Sequence, residues 1–421
     1  MKRVATSLLL LVLFAVSSFA EDLHDRAMRL HKSAIVVDSH EDVPERLGKE
    51  WVDIGVRGKT GHVDIPRLKE GGVTAPFFAA YVPAAFAASG GAAKKTLELM
   101  DLIHRLVESH SSDLIFADSV AAVRAAKKSG KIAVLIGIEG GHAIENSLGA
   151  LSALFRLGAR YMTLTHTNTN DWADSSGSFF AYGFDPKKFA VHGGLTDLGR
   201  DVVLEMNRLG MLVDVSHVSD KTIEDVLAVS KAPVFASHSS CRALAGMPRN
   251  LTDEQIRAIG AKGGVVMVNF SSTFVDQSVI DDYRAKKKAV EPRAAELAER
   301  YKEDPKKRDA EIAKVFDAIV RRRAPWTKVV DQIEHVMKVG GAQAAGLGTD
   351  YDGIDDPPTG LEDVSKLPKI AEELLARGHS EEEVRGVLGE NFLRFWERAE
   401  ASRRAVPPRT ELPPFSKPES R

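Results

Sequence analysis

The chain has 421 residues, 44% hydrophobic and 28% charged, a composition that excludes wholesale disorder. Lys and Arg number 57 against 59 Asp and Glu, a net charge of −2, so the basic footprint that accompanies nucleic-acid binding is missing and no nucleic-acid partner is expected. A single cysteine, Cys241, excludes an intrachain disulfide and a thiolate metal cluster, which leaves polar chemistry to His, Asp, Glu, Arg and Ser.

Residues 1–20 read MKRVATSLLLLVLFAVSSFA: a positive start, an apolar run and a small-x-small site at Ser18-Phe19-Ala20. This is a signal-peptide pattern, too short in its apolar part for the ~20 residues that span a bilayer. The expectation is an exported protein, periplasmic or extracellular in a bacterium, with no membrane anchor after cleavage. Eight short apolar runs follow in chain order: 34–40, 73–82, 132–141, 161–167, 211–217, 234–240, 265–270 and 344–353. Each is bounded by Gly or polar residues and is nearly continuous in hydrophobicity, as strands buried on both faces of a parallel sheet are. Helically spaced residues lie between them, Leu99, Ile103 and Leu106 before the third run and Leu198, Val202 and Met206 before the fifth. This alternation predicts an α/β fold, a (β/α)8 TIM-type barrel, with a doubly wound open sheet as the alternative. Residues 21–405 are expected to form one barrel domain. Residues 271–342, between the seventh and eighth runs, exceed one crossover and are charge-rich, so they predict a helical insertion, either a solvated face or a partner-binding arm. Residues 406–421 are proline-rich and predict a flexible tail.

The ionisable residues close the runs. His40 and Asp42 end the first, Glu139 the third, His166 the fourth, His217 the fifth, His238 the sixth and Asp350 the eighth. Barrel active sites lie at the carboxyl ends of the strands, so His, Asp and Glu converging there point to a metal centre. His40 and Asp42 are two apart and point the same way on an extended strand end, offering a nitrogen and an oxygen ligand. A carboxylate at Glu139 is costly to bury unless it is paired or metal-bound, and it can bridge two ions. His217 and His238 supply further nitrogens. His104, His110, His142 and His192 fall on helices or loops and are expected to be structural, and Cys241 to pack.

These residues lie in the motifs DSHED, IEGGH, LTHTNTNDWADSS, RLGMLVDVSHVS, APVFASHSSCRAL and GLGTDYDGIDDPPTGLEDVSK. Together they resemble the renal (membrane) dipeptidase family, zinc enzymes on a (β/α)8 barrel, from about Asp22 to Trp396. The resemblance implies a dipeptide substrate and two zinc ions (Zn2+): His40, Asp42 and Glu139 on one, Glu139, His217 and His238 on the other. It makes His166 the histidine that contacts substrate and stabilises the tetrahedral intermediate. It makes Arg249, in MPRN, the residue that binds the substrate carboxylate, and Asp350 the aspartate beside the attacking water. Two departures stand out. The polar end of this chain replaces a lipid-anchor signal, and Phe274 is the aromatic nearby where relatives carry a tyrosine after VNF. Two rival functions stay open: a binuclear metal amidohydrolase, lactonase or β-lactam hydrolase on the same barrel, and an exported non-catalytic zinc- or solute-binding protein. A homodimer also stays open.

Overall fold

Each of the eight apolar runs overlaps a strand that is shorter than the run itself. In the computed structural model, which describes residues 22–405, the strands are β1 (Val37–Glu41), β2 (Ala75–Tyr81), β3 (Leu114–Phe116), β4 (Ile132–Glu139), β5 (Ala159–Thr163), β6 (Leu212–Asp214), β7 (Phe235–Ala236), β8 (Val265–Val268) and β9 (Ala345–Leu347). The expected signal peptide, 1–20, and tail, 406–421, lie outside the described residues. All neighbouring strands are parallel. β1 pairs with both β2 and β9, and β2 with β4, so eight strands close on themselves and the open sheet is excluded. β3 is additional: it pairs only with the first part of β4, Leu114 opposite Ile132, while the last part of β4 pairs with β2. Three residues directly after an amphipathic helix carry too little pattern to be read as a strand.

The two-residue period of the strands sorts the core. Ala75 and Phe77 of β2, Ala133 and Leu135 of β4, Tyr161, Leu212, Phe235 and Met267 pack in the barrel interior. The alternate residues Phe78, Ala80, Val134, Ile136 and Ile138 join the helices outside. The lower end of the interior is sealed by Phe392, Phe395 and Trp396 of the helix Asn391–Ala401, each no more than 1% exposed. Burial on that scale stabilises by about 1.5–3 kcal/mol per aromatic side chain.

Two buried aspartates lace strand ends together near the upper rim. Asp38 accepts from Thr349 N (2.9 Å), Thr349 Oγ1 (2.5 Å) and His40 N (3.3 Å). Asp214 accepts from Ser216 N (2.9 Å), Ser237 N (2.8 Å), Thr163 Oγ1 (2.5 Å) and Ser237 Oγ (2.6 Å). Each carboxylate therefore fixes the residues just beyond a neighbouring strand, which is where the candidate site begins.

Between β8 and β9 the expected insertion is helical: Gln277–Arg300, Pro305–Asp317 and Thr327–Gly340. Only the first two are additional, because Thr327–Gly340 packs on the barrel as an ordinary crossover helix. The added pair is not simply a solvated face. Its Tyr283 packs against Phe179 and Phe180 of the loop after β5, at ring distances of 5.8 and 5.3 Å, so the insertion leans over the mouth of the barrel. Among the described residues no helix is long and apolar enough to cross a membrane.

Candidate active site

Glu139 is the last residue of β4 and continues the inward series of Ala133, Leu135 and Gly137, which aims its carboxylate at the barrel axis. Its two oxygens face different partners. Oε1 lies 3.0 Å from His217 Nε2, 3.3 Å from His238 Nε2 and 3.8 Å from His166 Nε2, while Oε2 lies 3.6 Å from His40 Nε2. His40 Nε2 is also 3.4 Å from Asp42 Oδ2, and the Nε2 atoms of His217 and His238 stand 2.9 Å apart. Donor atoms of His40, Glu139 and His238, of Glu139, His166 and His217, and of His40, Asp42 and Asp350 each lie within 4.8 Å of one another. All seven residues read from the strand ends thus meet in one place. His40 Nε2 is buried with no hydrogen-bond partner. A buried nitrogen aimed at two carboxylates and left unpaired suits a cation between them.

The surrounding groups orient these side chains. Ser237 Oγ donates to Asp214 Oδ2 (2.6 Å) and so accepts from His238 Nδ1–H (2.6 Å), which leaves Nε2 of His238 as the free lone pair. Tyr161 Oη stands 2.7 Å from His40 Nδ1 and holds the ring with Nε2 turned toward Asp42 and Glu139. Tyr161 reaches across the interior only because residue 137 is glycine: a Cβ there would lie 2.0 Å from the ring. Asn269 Nδ2 donates to Asp350 Oδ2 (2.7 Å), and Gly353 is held bare by Asp42 Oδ2, which a Cβ would approach to 2.2 Å. His217 and Asp350 both adopt left-handed backbone, φ 67° and 61°, a strain of about 1–3 kcal/mol each that concentrates where side chains must be aimed.

Charge follows geometry. Burial pushes Glu139 upward, but His40, His166 and the hydrogen bonds from His217 and His238 outweigh it and hold the carboxyl well below its usual range. Burial lowers His40, yet Tyr161, Glu139 and Asp42 outweigh it and raise His40 well above the usual histidine range. Burial keeps His166 neutral, lowered to about 4, and lowers His217 and His238 as well. Burial, then Asp42 and Glu139, raise Asp350 well above an ordinary aspartate.

Asp42, Glu139, His166, His217 and Asp350 line a cleft of 320 Å³, and Arg249 lines it too. Arg249 Nη1 donates to Ser239 Oγ (2.6 Å) and Nη2 to the His238 carbonyl (3.0 Å), while Nε has no partner. Burial brings its guanidinium down to about 10, against Asp350, Asp214 and Glu139, and leaves it charged at neutral pH. Phe274 lies beneath it, 5.9 Å from ring centre to Cζ, and the position directly after Phe270 is Ser271, also on the cleft wall. Sequence reading missed Tyr161, Ser237, Asp214, Asn269 and Tyr81, whose ring meets His166 edge-on at 4.6 Å. For Tyr81, Asp214, Ser237 and Asn269 the only signal is proximity to a strand end; Tyr161, mid-strand, offers none. Histidines 104, 110, 142 and 192 take structural roles, with His142 Nε2 3.0 Å from the Val82 carbonyl and His192 Nε2 2.8 Å from that of Asn170. Cys241 is buried.

A closed parallel barrel whose strand ends gather four imidazoles and three carboxylates around a cleft defines the class of metal-dependent barrel hydrolases. Residues 24–409 match the model of the membrane dipeptidase family, peptidase family M19, and the chain belongs to that family. Among solved structures, it is similar to dipeptidase AC, a metallopeptidase of that family, at 26% identity and a TM-score of 0.70 over 87% of this chain and 99% of that one. A Rhodobacter sphaeroides metallopeptidase, solved with a phosphinate mimic of the dipeptide L-Ala-D-Ala, matches at 26% identity and a TM-score of 0.69 over 87% of this chain and 99% of that one. The probable dipeptidase PvdM from Pseudomonas aeruginosa shares the fold at 24% identity and a TM-score of 0.78, covering 90% of this chain and 99% of that one. The protein is a metallo-dipeptidase, a hydrolase with a dipeptide substrate and a metal cofactor.

Proposed function

We propose that the chain is an exported, zinc-dependent dipeptidase that works with two metal ions sharing Glu139. The observation that carries this reading is the split of Glu139: Oε1 faces His217 and His238, and Oε2 faces His40, which pairs with Asp42. Nitrogen and oxygen donors in that ratio suit zinc, and the orphaned Nε2 of His40 fits a ligand better than a core histidine. His40, Asp42 and Glu139 would hold one ion, and Glu139, His217 and His238 the other. Bound there, zinc supplies Lewis acidity to the scissile carbonyl and brings the pKa of a water from about 16 toward 7.

The protein's own groups then divide the work. Asp350, with a raised pKa and one oxygen held by Asn269, takes the proton of the attacking water and delivers it to the departing amine. His166 is neutral, and its Nδ1 lies 3.3 Å from Thr167 Oγ1. With that hydroxyl donating to Nδ1, Nε2–H faces the cleft and donates to the developing oxyanion. Arg249 meets the free carboxylate of the substrate, its guanidinium already anchored through Nη1 and Nη2. A cleft of 320 Å³ with this arginine on its wall suits a dipeptide rather than a longer chain. The L-Ala-D-Ala mimic on the Rhodobacter sphaeroides relative supports acceptance of a D-residue at the C-terminal position. Assaying the metal-replete enzyme on L-Ala-L-Ala, L-Ala-D-Ala and their C-terminal amides tests this reading. The free acids are expected to be cleaved and the amides far less; equal rates on the amides would remove Arg249 from its role.

A further inference from the structure

The insertion contributes one charged side chain to the cleft. After the helix Pro305–Asp317 the chain returns toward the barrel, and Arg321 lines the same cleft as Glu139, His166 and Arg249. Its Cζ sits 4.3 Å from the centre of the Phe180 ring and 5.9 Å from that of Tyr283. Phe180 in turn stacks on Phe274 at 6.3 Å and 23°, and Phe274 lies beneath Arg249. Two guanidiniums therefore flank one aromatic pair, which places Arg321 on the carboxylate-binding side of the cleft.

Stacking fixes the plane of the Arg321 guanidinium and leaves its N–H edges free. The nearest carboxylate oxygen, Asp355 Oδ2, is 3.9 Å away on a side chain that is 89% exposed, too far for a hydrogen bond and too wet for a firm ion pair. The other nearby acid, Asp356, is committed elsewhere: it accepts from Ser271 Oγ (2.7 Å), Thr273 N (3.0 Å) and Thr273 Oγ1 (2.6 Å). Among the described residues no hydrogen bond uses the Arg321 fork. A half-buried, ring-stacked arginine held this way answers to a ligand better than to the fold.

We propose that Arg321 recognises a carboxylate on the side chain of the substrate's C-terminal residue, so that dipeptides ending in Glu or Asp are favoured. The inference rests on the dipeptidase reading with Arg249 on the α-carboxylate. From a residue pinned there, a side chain runs along Phe274 and Phe180 toward Arg321. The N-terminal residue, at the opposite side of the scissile bond, points away from this pair.

The test compares kcat/KM of the full-length, metal-loaded enzyme on Ala-Gln, Ala-Glu and Glu-Ala, each with L- and D-configured C-terminal residues. Arg321→Met is expected to lower the Ala-Glu to Ala-Gln ratio by roughly 10- to 100-fold, the range for a charged hydrogen-bonded pair. Arg321→Lys should recover part of it, since it keeps the charge and loses the fork. A ratio unchanged within about twofold in Arg321→Met, or a larger loss on Glu-Ala than on Ala-Glu, overturns the assignment while leaving the dipeptidase reading intact. Failure of the wild-type enzyme to cleave any of these peptides overturns the reading and the assignment together.

Discussion

Tyr161→Phe removes one oxygen from the interior of the barrel and leaves the packing in place. The ring keeps its neighbours Phe77 at 5.2 Å and Phe235 at 5.5 Å, so no cavity larger than a hydroxyl opens. What is lost is the 2.7 Å hydrogen bond to His40 Nδ1, between two side chains that are both 0% exposed. Water cannot readily substitute there, and an unsatisfied buried imidazole N–H costs about 1–3 kcal/mol. The ring of His40 is then free to turn or to change tautomer, which removes Nε2 from its place between Asp42 and Glu139. A cost of that size corresponds to a 10- to 100-fold weaker metal affinity, the usual range for losing a partner of a ligand histidine. Zinc affinity measured by competition with a chromogenic chelator reads this directly, and thermal unfolding of the metal-free variant reports stability separately. Zinc affinity within about twofold of wild type would refute the argument that Tyr161 orients a ligand.

Other consequences are as concrete. Glu139→Gln should lose zinc and nearly all dipeptide hydrolysis; full activity with full metal content would end the bridging role. Gly137→Ala places a methyl 2.0 Å from the Tyr161 ring and should destabilise the fold by about 1–3 kcal/mol, read as a lowered Tm. His166 in the metal-free protein should titrate near pH 4 by NMR rather than near 6.5. Because its folded pKa lies below the unfolded value, it contributes stability above pH 6.5 that is lost as pH falls from 6.5 toward 4, a loss that His166→Asn should not show. Arg249→Ala should raise KM for dipeptides with a free C-terminus much more than for their amides, and equal effects would exclude a carboxylate contact.

The barrel was legible because strands buried on both faces leave unbroken apolar runs, and a polar residue ending such a run is conspicuous. His40, Glu139, His217 and His238 could be found for that reason alone, while Arg249, on a loop, rested on the resemblance. The groups that aim these side chains were hidden. Tyr161 in YMTLTHT reads as core, and its role depends on Gly137 of the neighbouring strand, a pairing that no local pattern encodes. Ser237 and Asp214 act through a relay between two strands, and Asn269 through a contact with Asp350, 81 positions away. Arg321 sat in a charge-rich insertion whose composition suits solvent, and only packing against Phe180 distinguishes it from Arg322 and Arg323.

The most direct test is a zinc titration of metal-free enzyme followed by hydrolysis of L-Ala-D-Ala. No hydrolysis is expected without metal, and activity should rise and level off at two zinc ions per chain. A plateau at one ion, or full hydrolysis by the metal-free protein, would contradict this expectation.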